Sequence, residues 1–350
     1  MRMQTNPSVP SDQGGDHLGV LVVLVLGFAA ISLALDPGRY LYEAGAYLAF
    51  AGWAAVCLTI PIALVISLAI ERHRPPMWAF GHLRRKGPIL LGIVALFACG
   101  LAAFTTYKQG IPARVPFYAD AALDGLDRLI HGTAPYHYTH ALISGQFEMV
   151  LYWVYEKVWF TLWFGLFVVA ALSPPSRVRA QYFWAHALVV LVIGTILALG
   201  FSSYGPIFYG ILNDSTAYRA LSVHFENAPA GVALNQVRDF LVDGYRSGDP
   251  MFGAGISAMP SMHVALATLN MLYLSRLSKW LIAPGIAFFL AILVGSVHFG
   301  WHYAVDGYVS FVLVCLIWIA TGRLGAVASD QRLARPAGAS AQSEPDLIEV

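Results

Sequence analysis

Residues 297–322 read VHFGWHYAVDGYVSFVLVCLIWIATG. From Tyr303 onward the stretch is almost wholly apolar and long enough to cross a bilayer as a helix, which needs roughly 20 residues. His302 and Asp306 stand at its mouth. Ionisable groups in a membrane segment are costly and mark function by default. The two residues are four apart, so a helix stacks them on one face, about 6 Å apart along its axis. A second stretch, Met259-Pro260-Ser261-Met262-His263, sets another histidine at the edge of an apolar run. A His–Asp pair facing a second His suggests a nucleophile, its orienting carboxylate and a proton donor.

The rest of the chain fits a membrane setting. Of its 350 residues, 58% are hydrophobic and only 12% charged, against about 25% charged in soluble domains. Apolar runs of spanning length lie at 18–35, 47–70, 88–106, 149–172, 183–201, 262–274, 280–297 and 303–322, so the fold expected is an all-α integral membrane protein with about eight transmembrane helices. The net charge of +1 gives no argument for nucleic acid. Cys57, Cys99 and Cys315 all lie inside apolar runs, so they read as small core filler rather than a disulfide framework. No cofactor is implied. The polar segment 1–17 and the Ala/Ser/Pro/Glu-rich tail 323–350 read as disordered.

Basic residues set the orientation. Arg72, Arg74, Arg84, Arg85 and Lys86 crowd the loop before the third run. Arg177 and Arg179, then Arg276 and Lys279, then Arg323, Arg332 and Arg335 follow alternate runs. The opposite side is poorer in cations along longer loops, so the positive-inside rule places both termini in the cytoplasm and both histidine motifs on the outer (periplasmic, extracellular or lumenal) face. Two outer segments are more than connectors. Residues 117–131 have the pattern of an amphipathic helix at the membrane interface, with Asp120, Asp124 and Asp127 between apolar positions. Residues 202–258 form a loop long enough to suggest function.

The chemistry follows from these placements. Pro260 suits the first turn of a helix, and the amides of Ser261, Met262 and His263 then form an anion-binding helix start. His263 can protonate a departing oxygen. Asp306 can accept from one ring nitrogen of His302, leaving the other to attack. The implied reaction is phosphoryl transfer through a phosphohistidine.

These motifs, Pro260-Ser261-Met262-His263 followed by His302-Tyr303-Ala304-Val305-Asp306, resemble the type-2 phosphatidate phosphatase (lipid phosphate phosphatase) superfamily, which carries Pro-Ser-x-His and then a motif ending His-x-x-x-Asp. The resemblance implies a six-helix catalytic core over 88–322, with 18–87 as two additional helices and a basic loop. It implies His302 as nucleophile, Asp306 as its orienter and His263 as general acid. Two departures stand out. The family's Lys-x6-Arg-Pro is absent from 183–260, and Ser296 stands where the family has an arginine six residues before the nucleophile. A phosphate monoester dianion needs those cations more than a diester monoanion does. The chain therefore looks most like the inositol phosphorylceramide synthase-like and sphingomyelin synthase-like branch. That branch passes a phosphorylated head group from a phosphodiester lipid donor to a lipid or polyol hydroxyl. The stretch around Tyr204, Pro206 and Tyr209 resembles the segment that replaces the first motif there, making these residues substrate-binding candidates beside Ser261, Met262 and His298.

Other readings compete. A lipid phosphate phosphatase would use the same triad on a monoester with water as acceptor. A zinc-dependent membrane hydrolase would gather His263, His298, His302 and Asp306 around a metal. A transporter would use the His–Asp pair as a proton relay, although no inverted repeat is evident. His298 can also stand in for the missing arginine. Glu156 and Lys157 read as an internal pair or as snorkelling residues. Arg219, Arg238 and Arg246 read as solvated loop charges. His131, His137, His140 and His224 show no metal-like spacing and receive no role. The expected partners are a membrane lipid donor, a hydroxyl acceptor and the bilayer, and the sequence leaves protein partners open.

Overall fold

The computed structural model describes residues 18–70, 75–213 and 215–333, and these contain helices and turns but no strand. The chain is an all-α, multi-pass integral membrane protein. In order, the principal helices are α1 (Leu18–Leu35), α2 (Pro37–Ile70), α3 (Pro75–Gln109), α4 (Asp120–His131), α5 (Tyr136–Leu142) and α6 (Gln146–Leu172). They continue as α7 (Arg177–Gly200), α8 (Arg219–Asn227), α9 (Gly231–Ser247), α10 (Met262–Leu277), α11 (Ile282–His298) and α12 (Ala304–Leu333). Among the described residues, seven helices are long and apolar enough to cross a membrane: α1, α2, α3, α6, α7, α11 and α12. The sixth expected run, 262–274, forms α10, which has 16 residues and so extends about 24 Å. That is short of a hydrocarbon core of about 30 Å. α10 is instead a central helix, buried from Val264 through Asn270 against its neighbours.

Two sequence expectations are corrected here. Arg84, Arg85 and Lys86 lie within α3 rather than in a loop. Their straight side chains favour helix. α12 continues past Gly322 to Leu333, so the first part of the expected disordered tail is helical. The segments 1–17 and 334–350, read from sequence as disordered, lie outside the described residues.

The additional helices wall the same bundle as the core. α2 packs along α3, where Tyr47 Oη and Thr105 Oγ1 are 2.8 Å apart. Buried Glu43 accepts from Gln109 Nε2 at 2.6 Å, and Gln109 also donates to the carbonyl of Met251 at 2.9 Å. Thus α2, the end of α3 and the loop before α10 are tied at one end of the bundle.

α4 is inverted relative to a simple amphipathic helix. Asp120 and Asp127 are buried, while Leu129 and Ile130 are exposed. The reason is backbone hydrogen bonding. Asp120 accepts from the amides of Tyr204 and Gly205 and from Tyr303 Oη, all within 3.2 Å. Asp127 accepts from the amides of Ala304 and Val305 at 2.7 and 3.0 Å. Burial pushes both carboxyls above their ordinary range, against the opposing pull of these donors. The acidic face therefore holds two segments that would otherwise leave buried amides unpaired.

Candidate active site

His302 does not belong to the helix that follows it. α12 begins at Ala304, and His302 sits in the turn just before it. Asp306 is in the first turn, where its Oδ2 accepts from the amide of Tyr303 at 2.9 Å. This is the side-chain-to-backbone half of a capping box, with the carboxylate reaching back to a helix-start amide. The His302 Nδ1 to Asp306 Oδ2 distance is 3.6 Å. The same Nδ1 lies 2.7 Å from the carbonyl of Ala258. A carbonyl only accepts, so Nδ1 carries the proton and Nε2 keeps a lone pair. The orientation of His302 thus comes first from a backbone carbonyl and second from Asp306.

His263 occupies the first turn of α10. Ser261 caps that helix, its Oγ accepting from the Val264 amide at 3.3 Å. Pro260 therefore precedes the helix rather than opening it. The Ser261 amide donates to the carbonyl of Asp306 at 3.4 Å, which stitches the two histidine segments together. The His263 ring stacks on Tyr155, with centroids 4.6 Å apart and planes at 17°. Trp159 packs on it at 4.3 Å and donates from Nε1 to the His263 carbonyl at 3.0 Å. Tyr155 belongs to a widened π-helical turn, Val154–Val158, within α6. Such turns are often found at functional sites. Here the turn also carries Glu156 and Lys157 into the same cavity.

The His263 and His302 rings are 5.9 Å apart, centroid to centroid, and both line a cavity of about 590 Å³. Phe104, Trp159, Phe160, Phe164 and Phe208 supply most of its aromatic wall, and Tyr47 and Phe50 of α2 close one side. Its cations are Lys108, at the end of α3, and Lys157. Gly205 makes the close approach possible: a Cβ there would lie 2.6 Å from the Trp301 carbonyl oxygen, and its φ of +92° suits glycine. The turn after Tyr204 can thus lie directly against the turn that bears His302.

The sequence model of the PAP2 superfamily matches residues 122–320, more than half of the chain. The chain belongs to the PAP2 superfamily. No curated protein and no solved structure matches it. Superfamily membership supports an enzyme of phosphatase or phosphotransferase type acting on lipids.

Within this PAP2 protein the expected site residues separate into two groups. His263, His302, Met262 and Tyr204 line the cavity, and Asp306 is buried behind His302. Ser261, Pro206 and Tyr209 are buried in the surrounding scaffold and are not among the lining residues. Tyr209 packs on Tyr204 and Tyr218 instead. His298 is fully buried and points into a different cluster, with His140 and His224. The four-residue metal grouping of His263, His298, His302 and Asp306 is therefore not formed. Ser296 is buried, and its Oγ donates to the carbonyl of Leu293 at 2.8 Å. Arg219, Arg238 and Arg246 are not among the lining residues, and Arg238 pairs with Asp239 at 2.8 Å.

Sequence reasoning missed four contributors. Asp120 and Asp127 were assigned to a polar face. The Ala258 carbonyl carries no side-chain signal. Lys108 directly follows the apolar run 88–106, and that position is the one usable hint.

Proposed function

We propose that this PAP2 enzyme is a lipid phosphotransferase that moves a phosphorylated head group from a phosphodiester lipid to a lipid or polyol hydroxyl. The observation that carries this reading is the pairing of His302 and His263 in one aromatic-walled cavity, with the His302 Nδ1 held by the Ala258 carbonyl. The free Nε2 attacks phosphorus and displaces the donor's alkoxide, which takes a proton from His263. The acceptor hydroxyl then gives its proton to His263 and attacks the phosphohistidine, releasing His302. Asp306 stabilises the imidazolium through both steps. Lys108 and Lys157 line the same cavity and can neutralise a phosphoryl group seated between the histidines, and Met262 and Tyr204 line it as well.

Two features favour transfer over monoester hydrolysis. Ser296 leaves the site without the family's arginine, so the charge available suits a diester monoanion. The wall is apolar and aromatic, which favours a lipid acceptor over water. Tyr47, Phe50 and Lys108 lie outside the matched segment, so the working unit extends beyond 122–320 into α2 and α3. For orientation, Arg84, Arg85, Lys86, Arg276 and Arg323 lie toward the ends of their helices opposite the site. By the positive-inside rule the termini are cytoplasmic and the cavity opens on the outer face.

The test uses purified full-length protein in mixed micelles with a labelled phosphodiester lipid, with and without ceramide or diacylglycerol. Label appearing in a new lipid only when the acceptor is present is the expected result. Free phosphate released from a monoester at the same rate with or without acceptor would assign the chain to hydrolysis instead.

A further inference from the structure

Beside the catalytic cavity, and not lining it, four polar side chains from distant parts of the chain meet. His140 comes from α5, Glu148 from the first turn of α6, His224 from α8 and His298 from the end of α11. One ring nitrogen from each of the three histidines lies within 4.8 Å of those of the other two. Tetrahedral zinc with Zn–N bonds of about 2.0–2.1 Å places its nitrogens about 3.3 Å apart, so a modest contraction closes such a site. Glu148 stands against the group, with Oε2 2.8 Å from His224 Nε2 and 3.7 Å from His298 Nε2.

The hydrogen bonding around these groups points to a cation. His298 is fully buried, yet neither of its ring nitrogens has a hydrogen-bond partner among the described residues. The same holds for Glu148 Oε1. Buried polar atoms left this way are costly. His140 Nε2 lies 2.8 Å from the carbonyl of His298. That carbonyl only accepts, so His140 carries its proton on Nε2 and its lone pair on Nδ1. An imidazole whose second nitrogen donates to a carbonyl is the usual support for a metal-bound histidine.

We infer that His140, His224 and His298, backed by Glu148, bind a zinc ion that staples the segments beside the catalytic turn. Imidazole donors suit zinc among the common divalent ions, and the Glu148 carboxylate offsets its charge. The ion pins α5, α8 and the start of α6 to the last residue of α11. His298 is four residues before His302. The turn between them is fixed by the Gly300 carbonyl, which accepts from the Ile207 amide at 2.8 Å, and by the His302 amide, which donates to Ser296 at 3.2 Å. Anchoring His298 therefore sets the base of the turn that presents the nucleophile. This role is one of position, and the metal takes no part in the phosphoryl transfer.

The experiment measures metal on full-length protein purified in detergent. After incubation with zinc and removal of excess, one equivalent per chain is expected by elemental analysis. A His140→Ala, His224→Ala double variant should retain almost none. A strong chelator should lower the thermal midpoint of the wild type, zinc should restore it, and the double variant should respond to neither. Cobalt added to chelator-treated wild type should give visible tetrahedral bands that zinc displaces. Should the double variant fail to fold, the cobalt spectrum alone decides. No retained zinc, a stoichiometry unchanged in a folded double variant, or a wild type lacking the cobalt bands would each overturn the proposal. Any of these would leave a hydrogen-bonded histidine cluster around Glu148. The transferase reading stands or falls separately, on the labelled-lipid assay.

Discussion

Replacing Asp306 with asparagine separates its charge from its capping bond. The carboxylate lies 3.6 Å from the His302 Nδ1, and a unit charge pair at that distance is worth about 4–5 kcal/mol at an effective dielectric of about 20. The Ala258 carbonyl, at 2.7 Å, stays in place and keeps the proton on Nδ1. Asp306→Asn should therefore lose charge stabilisation of the phosphorylated imidazolium but not the tautomer. If about 3 kcal/mol of the pair energy reaches the transition state, kcat falls on the order of a hundredfold. Stability should hold, because the asparagine oxygen can still accept from the Tyr303 amide as Asp306 Oδ2 does. Asp306→Ala removes that bond too and should cost about 1 kcal/mol more in unfolding. The assay is a rapid-quench single turnover with labelled donor lipid, scoring acid-labile, base-stable phosphoenzyme, with thermal unfolding in parallel. Phosphoenzyme forming at close to the wild-type rate in Asp306→Asn would refute the argument. It would mean that the Ala258 carbonyl alone orients and supports His302.

Three further substitutions test the remaining parts. His263→Gln should slow transfer from an alkyl-lipid donor by about 10²–10⁴ yet spare a donor with a nitrophenolate leaving group, which needs no proton; equal losses on both would remove His263 from the acid role. Lys108→Met takes a cation from the cavity wall and should cost about 1.5–3 kcal/mol in kcat/KM, with partial recovery in Lys108→Arg; a wild-type kcat/KM would show that Lys108 does not meet the phosphoryl group. Asp127→Ala leaves the Ala304 and Val305 amides without their carboxylate acceptor and should destabilise the protein by about 2–4 kcal/mol, read by denaturant unfolding in detergent. The exposed Leu129→Ser on the same helix should shift stability by less than about 0.5 kcal/mol, and equal effects of the two would contradict the inverted orientation of α4.

What the sequence made legible follows from what it repeats. Spanning helices announce themselves through length and uniform apolarity, and the described segments 18–35, 149–172 and 280–297 lie close to their helices. α10 was the weak case, because a short apolar run reads the same whether it spans or is packed centrally. The His302–Asp306 spacing of four does bring the two within 3.6 Å, although His302 is not on the helix. That spacing serves a helical face, and it equally serves a residue just before a helix and a carboxylate that caps the helix start. Only the Tyr303 amide bond to Asp306 distinguishes them.

The elements that escaped sequence reading share one physical property: their partners are backbone atoms or distant chain. Ala258 acts through its carbonyl, so no side-chain pattern marks it. Asp120 and Asp127 look like a solvated stripe until the Tyr204, Gly205, Ala304 and Val305 amides are found beneath them. His140, His224 and His298 have no spacing that hints at contact, yet they meet. One consequence is specific. The anion-binding start of a helix, an attractive phosphate seat on sequence grounds, is filled at α12 by the protein's own Asp127 carboxylate. At α10 the Ser261 amide is taken up by the Asp306 carbonyl and the Val264 amide by the Ser261 hydroxyl. For a phosphoryl group between His263 and His302, that leaves the Met262 and His263 amides as partial charges and the cavity-wall lysines, Lys108 and Lys157, as full ones. Among the described residues no guanidinium lines the cavity, and on the proposed reading two single-point ammonium groups suit a phosphodiester monoanion better than a dianion.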